Sequence, residues 1–152
     1  MEIIFFYSAV YFRNLNKYKS TKRTWEEVKN IGGDFENKYR SEINQIIKII
    51  PEIVEKPWRR NIVEVYIVDW IGPSFSHPLT LKVREDLLLM LVILTHELLH
   101  DFYLGEKNKN IETIEESINN NVKQVFEKLN IDVAEQLKIL QGLHEERFGK
   151  NK

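Results

Sequence analysis

The sequence contains no cysteine. That excludes disulfides, thiolate metal sites and a thiol nucleophile, and it suits a reducing compartment. Any metal must then be held by histidine, aspartate or glutamate. An excess of charge of one sign is also missing, since 22 basic residues stand against 23 acidic ones for a formal net charge of -1. Such a balance gives no electrostatic case for a nucleic-acid or membrane-surface partner. The basic segment Lys17 to Arg23 lies close to Glu26 and Glu27 and has no recognition motif, so no nucleic acid is expected. Long apolar runs are absent as well. Leu87 to Leu94 falls far short of the ~20 residues that span a bilayer. Ile3 to Phe12 follows Glu2 and lacks both a basic lead-in and a small-residue cleavage site. No membrane span and no export signal are expected, and the cytoplasm is the default location. Repeats, low-complexity tracts and linker-like stretches are missing too.

The 152 residues fit a single domain, because a chain of this size buries roughly 70% of its unfolded surface without disulfides. Ile3 to Tyr11, rich in β-branched and aromatic residues, is expected as a strand, and Arg13 to Gly33 as a loop broken at Gly32-Gly33. Ile43, Ile46, Ile47, Ile50 and Val54 recur at helical spacing and predict an amphipathic helix from about Phe35 to Val54, bent at Pro51. Ile62 to Trp70 alternates as a second strand, which suggests a strand–helix–strand crossover. After the turn residues Gly72-Pro73, Leu79 to Val83 is expected as a short strand, with Pro78 placing it at an edge. Asp86 can cap a helix from Leu87 to Leu104, apolar enough to be buried on all sides and closed by Gly105. Helices from Ile111 to Leu129 and from Val133 to Phe148, the latter capped by Asp132, complete the chain. The class is α+β: a small mixed β-sheet with an active-site helix, a following glutamate-bearing helix and a C-terminal helix. The core is expected over about residues 35–129.

The chemistry is concentrated in Thr95-His96-Glu97-Leu98-Leu99-His100, an H-E-x-x-H pattern inside a predicted helix. Four residues are one turn plus ~40°, so both imidazoles leave one face and can meet a single tetrahedral ion. Glu97 points beside that ion, where it can take a proton from a zinc-bound water without being a ligand. With 4 histidines in the chain, the pattern arises by chance on the order of once in a hundred such chains. Two histidines and a glutamate in the most apolar helix would also be costly to bury unpaired. Chance and packing are therefore the poorer explanations.

A hydrolytic zinc needs a third protein ligand and an open position. Glu112, Glu115 and Glu116 lie on the next helix. The apolar stripe Ile111, Ile114, Ile118, Val122, Val125 and Leu129 defines its inner face, from which Glu115 deviates by about 55°, Glu112 by about 115° and Glu116 by about 155°. Glu115 is the expected ligand, with a boundary salt bridge as its alternative. Asn119, one turn on, can accept a hydrogen bond from a ligand histidine. For the group that stabilises the oxyanion the sequence offers Tyr103, His77 and His144.

These residues resemble the gluzincin metallopeptidases, in which a glutamate from a later helix completes an H-E-x-x-H zinc site. Glu115-Glu116-Ser117-Ile118-Asn119 looks like that group's glutamate helix, although Ile118 replaces its usual small residue. The size is most similar to the minigluzincins, small soluble relatives of membrane-embedded peptidases. The resemblance covers roughly Ile62 to Leu129 and implies hydrolysis of an extended peptide or protein substrate lying along Leu79 to Val83. It leaves His144 as a rival third ligand. It also implies a latent form in which the C-terminal helix, residues 130–152, covers the cleft; an ordinary packed helix is the alternative. The rival from another class is a non-catalytic metal-binding or regulatory module whose zinc is closed by four protein ligands.

Overall fold

Alternation along β2 (Ile62–Val68) buries Val63, Val65 and Ile67 while Ile62 and Glu64 face solvent, the period-two pattern of a strand with one face on a core. The computed structural model describes residues 1–15, 23–70, 72–103 and 110–148, the last five for their backbone alone. On one side β2 pairs in parallel with β1 (Glu2–Phe6), Ile3 opposite Val63. On the other it pairs in parallel with β4 (Leu79–Lys82), Ile67 opposite Leu81. A two-residue strand, β3 (Phe75–Ser76), runs antiparallel to β4 and gives the order β1-β2-β4-β3. The fold is α+β with a mixed sheet, as expected.

Two helices fill the crossover between β1 and β2: α1 (Ala9–Leu15) and α2 (Trp25–Val54). The first corrects the expected strand to Tyr11. Its chain turns because Ser8 Oγ accepts from the Tyr11 N–H at 3.1 Å and Ser8 O from the Phe12 N–H at 2.9 Å. Tyr11 then packs on Tyr66 and Phe12 on Trp25, with ring centroids 4.9 and 5.5 Å apart. Aromatic content signals burial as readily as strand. The second corrects the expected loop. Thr24 caps α2 in a capping box, its hydroxyl accepting from the Glu27 N–H and Glu27 accepting from the Thr24 N–H. That backbone hydrogen bond holds the Glu27 carboxyl below the usual carboxylate range. Residues 16–22, also within the expected loop, lie outside the described residues.

The expected break at Gly32-Gly33 is a continuous helix, and the reason is a close approach. A Cβ on Gly32 would lie 2.6 Å from Tyr7 Cε1 and 2.9 Å from Ile67 Cγ2. The glycine lets α2 rest on the sheet. Alanine at 32 gains up to ~1 kcal/mol of helix propensity, but overpacking against fully buried Ile67 costs about 1–3 kcal/mol, so Gly32→Ala should destabilise by about 1 kcal/mol. Gly33 has nothing within 4 Å of the same atom. Gly33→Ala should therefore stabilise by about 0.5–1 kcal/mol. Denaturation midpoints of the two variants should move in opposite directions; shifts of one sign would contradict this seating of α2.

The strand from Leu79 is not an edge. β3 occupies its outer side at Leu79 and Thr80, and Ser74 Oγ accepts from the Lys82 N–H at 3.0 Å. Pro78 sits in the β3–β4 turn, following a cis peptide bond, so it takes no ladder position and places no strand at the edge. The expected substrate-pairing side of β4 is thus already used over this stretch.

Helix α3 (Leu87–Tyr103) begins at Asp86, whose Oδ1 accepts from the Leu89 N–H at 2.9 Å. Burial pushes that carboxyl up, but hydrogen bonds from Gln136 and from the Leu89 and Leu88 N–H groups outweigh it and leave the acid lowered. Every residue from Leu89 to Leu99 is buried, because α2, α4 (Ile111–Lys128), α5 (Ala134–Phe148), β3 and β4 all pack on this helix. Residues 104–109, including the expected helix stop at Gly105, lie outside the described residues. Asn110 caps α4 by accepting from the Glu112 N–H, and Asp132 caps α5 by accepting from the Ala134 N–H. Along α4 the stripe is buried at Ile118, Val122 and Val125, whereas Ile111 is 59% exposed, a departure from the expected inner face. Val133, just ahead of α5, and Leu140 on it join the core. No helix of the described residues is long and apolar enough to cross a membrane.

Candidate metal centre

Helical spacing on α3 and the rotation of α4 bring three side chains to one point. His96 Nε2 and His100 Nε2 stand 3.0 Å apart. Glu115 places Oε2 at 3.4 Å from His96 Nε2 and Oε1 at 3.6 Å from His100 Nε2. His96 is 1% exposed, while His100 and Glu115 are partly buried at the opening. Glu112 and Glu116 point to solvent. The angular ordering of the three glutamates along α4 therefore matches their placement.

Two imidazole nitrogens at 3.0 Å can share one N–H hydrogen or, with the carboxylate beside both, hold a metal ion. The spacing can be compared with a metal. Tetrahedral zinc at ~2.0–2.1 Å from each ligand sets ligand atoms ~3.3–3.4 Å apart. The separations of 3.0, 3.4 and 3.6 Å bracket that value. His96, His100 and Glu115 are thus a group that could hold a metal ion. Nitrogen and oxygen donors without sulfur suit zinc among several divalent metals.

Glu97 follows His96 on α3 and is 7% exposed. Asp101, one turn after Glu97 on the same helix face, is 5% exposed and forms an ion pair with Arg60. Sequence reasoning missed both members of this pair. A buried acid inside an apolar helix demands a partner, and Asp101 carried that signal, but Arg60 lies 41 residues away. The segment before β2 is held there by Trp58, which donates to Ile47 O at 2.8 Å and packs on Phe102 with centroids 4.5 Å apart.

The three oxyanion candidates separate. Tyr103 is at the centre, lining a cavity together with His100 and Glu115. Its hydroxyl accepts from Asn121 Nδ2 at 2.8 Å, a partner 18 residues away that no local pattern singles out. His77 is exposed in the β3–β4 turn, with Nδ1 2.9 Å from Ser76 Oγ and Nε2 3.5 Å from Arg60 Nη2. It therefore borders the Arg60–Asp101 pair. The side chain of His144, the rival ligand, lies outside the described residues. Asn119 is half-buried, and its Oδ1 has no hydrogen-bond partner among the described residues. The expected bond from a ligand histidine is therefore not formed in this geometry.

No protein-family model, curated protein or solved structure matches the chain.

Proposed function

We propose that the protein is a zinc-dependent metallopeptidase of the gluzincin type, with His96, His100 and Glu115 as metal ligands and Glu97 as general base. The observation that carries this reading is the meeting of two imidazole nitrogens and one carboxylate at 3.0 to 3.6 Å, with a buried glutamate next in sequence to the first histidine. Three protein ligands leave a tetrahedral ion one further position, as hydrolysis requires. Zinc, when bound, lowers the pKa of a coordinated water from ~15.7 towards ~7 and polarises a carbonyl.

The chain's own groups supply the rest. One oxygen of the Glu97 carboxylate takes the proton of the attacking water and passes it to the leaving amine. The apolar surroundings of α3 keep bulk water from that carboxylate and strengthen the electrostatics of the site. Of the two candidates whose side chains are described, Tyr103, beside His100 and Glu115, is better placed than His77 to donate to the developing oxyanion. The substrate is a peptide or protein in extended conformation.

Purified protein should carry one zinc per chain and hydrolyse a quenched fluorescent peptide. Chelation should abolish turnover and added zinc restore it. Stoichiometric zinc with no hydrolysis of a broad peptide library would favour a structural metal module instead.

A further inference from the structure

β1 stands at the end of the sheet order β1-β2-β4-β3, so it has a side on which no strand pairs. The Glu2 N–H donates to Asn61 O at 2.8 Å, which turns the backbone groups of Glu2, Ile4 and Phe6 towards β2. These directions alternate along a strand. The N–H and C=O groups of Ile3 and Phe5 therefore point outward, and among the described residues no backbone hydrogen bond from outside the sheet reaches them. Proteins usually blunt such an edge with lysine, proline or a bulge. From Ile3 to Phe6 there is no charge and no proline, and the register with β2 advances residue for residue. Ile3, Ile4 and Phe5 are left half-buried. Phe6 at the end of the strand and Ile62 opposite Glu2 are exposed apolar residues beside them.

The segment is complementary to itself. In an antiparallel pair about a two-fold axis at Ile4, Ile3 of each copy exchanges N–H and C=O bonds with Phe5 of the other, and every outward group of both residues is satisfied. On the core face, where Phe5 packs on Phe35, the cross-strand pairs are Ile3 with Phe5. On the outer face Ile4 meets Ile4. Pairs of β-branched and aromatic residues of this kind favour strand association. Glu2, the one charge of the strand, falls opposite Phe6 and away from its own counterpart. Other axes fit less well: one at Ile3 sets Glu2 against Ile4, and one at Phe5 sets Ile3 against Tyr7, beyond the strand. We infer that β1 is a homodimer interface, through which two copies of the chain join their 4-stranded sheets edge to edge into one continuous sheet.

The test is sedimentation velocity on the full chain. The unaltered protein should sediment as a dimer at concentrations on the order of 10–100 µM. Ile4→Lys and Ile4→Glu each set like charges face to face across the axis and should raise the dissociation constant at least ~10-fold. An equimolar mixture of the two should recover the dimer. Because the chain has no cysteine, a single introduced thiol reports the register even if a charged variant fails to fold. Ile4→Cys puts two cysteines in a pair that exchanges no backbone bonds, with Cα atoms ~4.5 Å apart and within disulfide range, so it should oxidise to a covalent dimer. Glu64→Cys, on the neighbouring strand and three strand spacings or ~14 Å from its counterpart, should not. A monomer at ~100 µM, a dimer indifferent to both charged variants, or equal cross-linking at positions 4 and 64 overturns the interface. A strand from a different protein as the true occupant of this edge would give the first of these results.

Discussion

Glu97→Gln is expected to keep the metal and lose hydrolysis. Glutamine preserves the shape of the side chain and can still hydrogen-bond, but it cannot take a proton from water near neutral pH. General acid–base groups contribute about 10²- to 10⁴-fold, and Glu97 is proposed to act twice, so kcat should fall by at least the upper part of that range. KM should change little, because the lost step belongs to the transition state. Zinc content should remain at one per chain, since Glu97 is assigned no bond to the metal. Measuring kcat, KM and metal content on the same preparation separates the outcomes. Retained turnover would refute the base, whereas loss of zinc would make Glu97 a ligand.

The parts of this molecule legible in the sequence are those set by local periodicity. The meeting of His96 with His100 needs only one helical turn, and Glu115 was separable from Glu112 and Glu116 by rotation about α4. The caps Asp86 and Asp132 are likewise local. What escaped depends on distant chain or on two signals in conflict. Gly32 reads as a break in isolation; only the approach of Tyr7 and Ile67 turns it into a packing position. Ala9 to Tyr11 looks strand-like by composition, yet Ser8 and the ring contacts to Tyr66 and Trp25 make it the start of a helix. The Thr24–Glu27 capping box was present in the sequence and outweighs the polar character of the segment before it. β3 has two residues and exists through its partner β4, so no periodicity could announce it. Ile111 shows the reverse case: its period is that of the core face, but the core ends one turn earlier.

The proposed third ligand, Glu115, carries the other large effect. Disturbing groups that merely orient ligands typically costs 10- to 100-fold in metal affinity, so removing a direct ligand by Glu115→Ala should cost more than about 100-fold. The consequence reaches stability. Zinc at 100 times its dissociation constant should stabilise the folded protein by about 2.7 kcal/mol, or roughly 5–11 °C in a domain of this size. At the same zinc concentration the Glu115→Ala variant should show a shift of 1 °C or so at most, because its occupancy has collapsed. Its metal-free melting point should stay near that of the unaltered protein, since Glu115 sits at a partly exposed opening. Competition against a chelator gives the affinity, and thermal scans with and without zinc give the linkage. His144→Ala, made in parallel, should leave both unchanged. Should Glu115→Ala keep its zinc shift while His144→Ala loses it, the third ligand belongs to α5, and the carboxylate beside the two imidazoles is a salt bridge only.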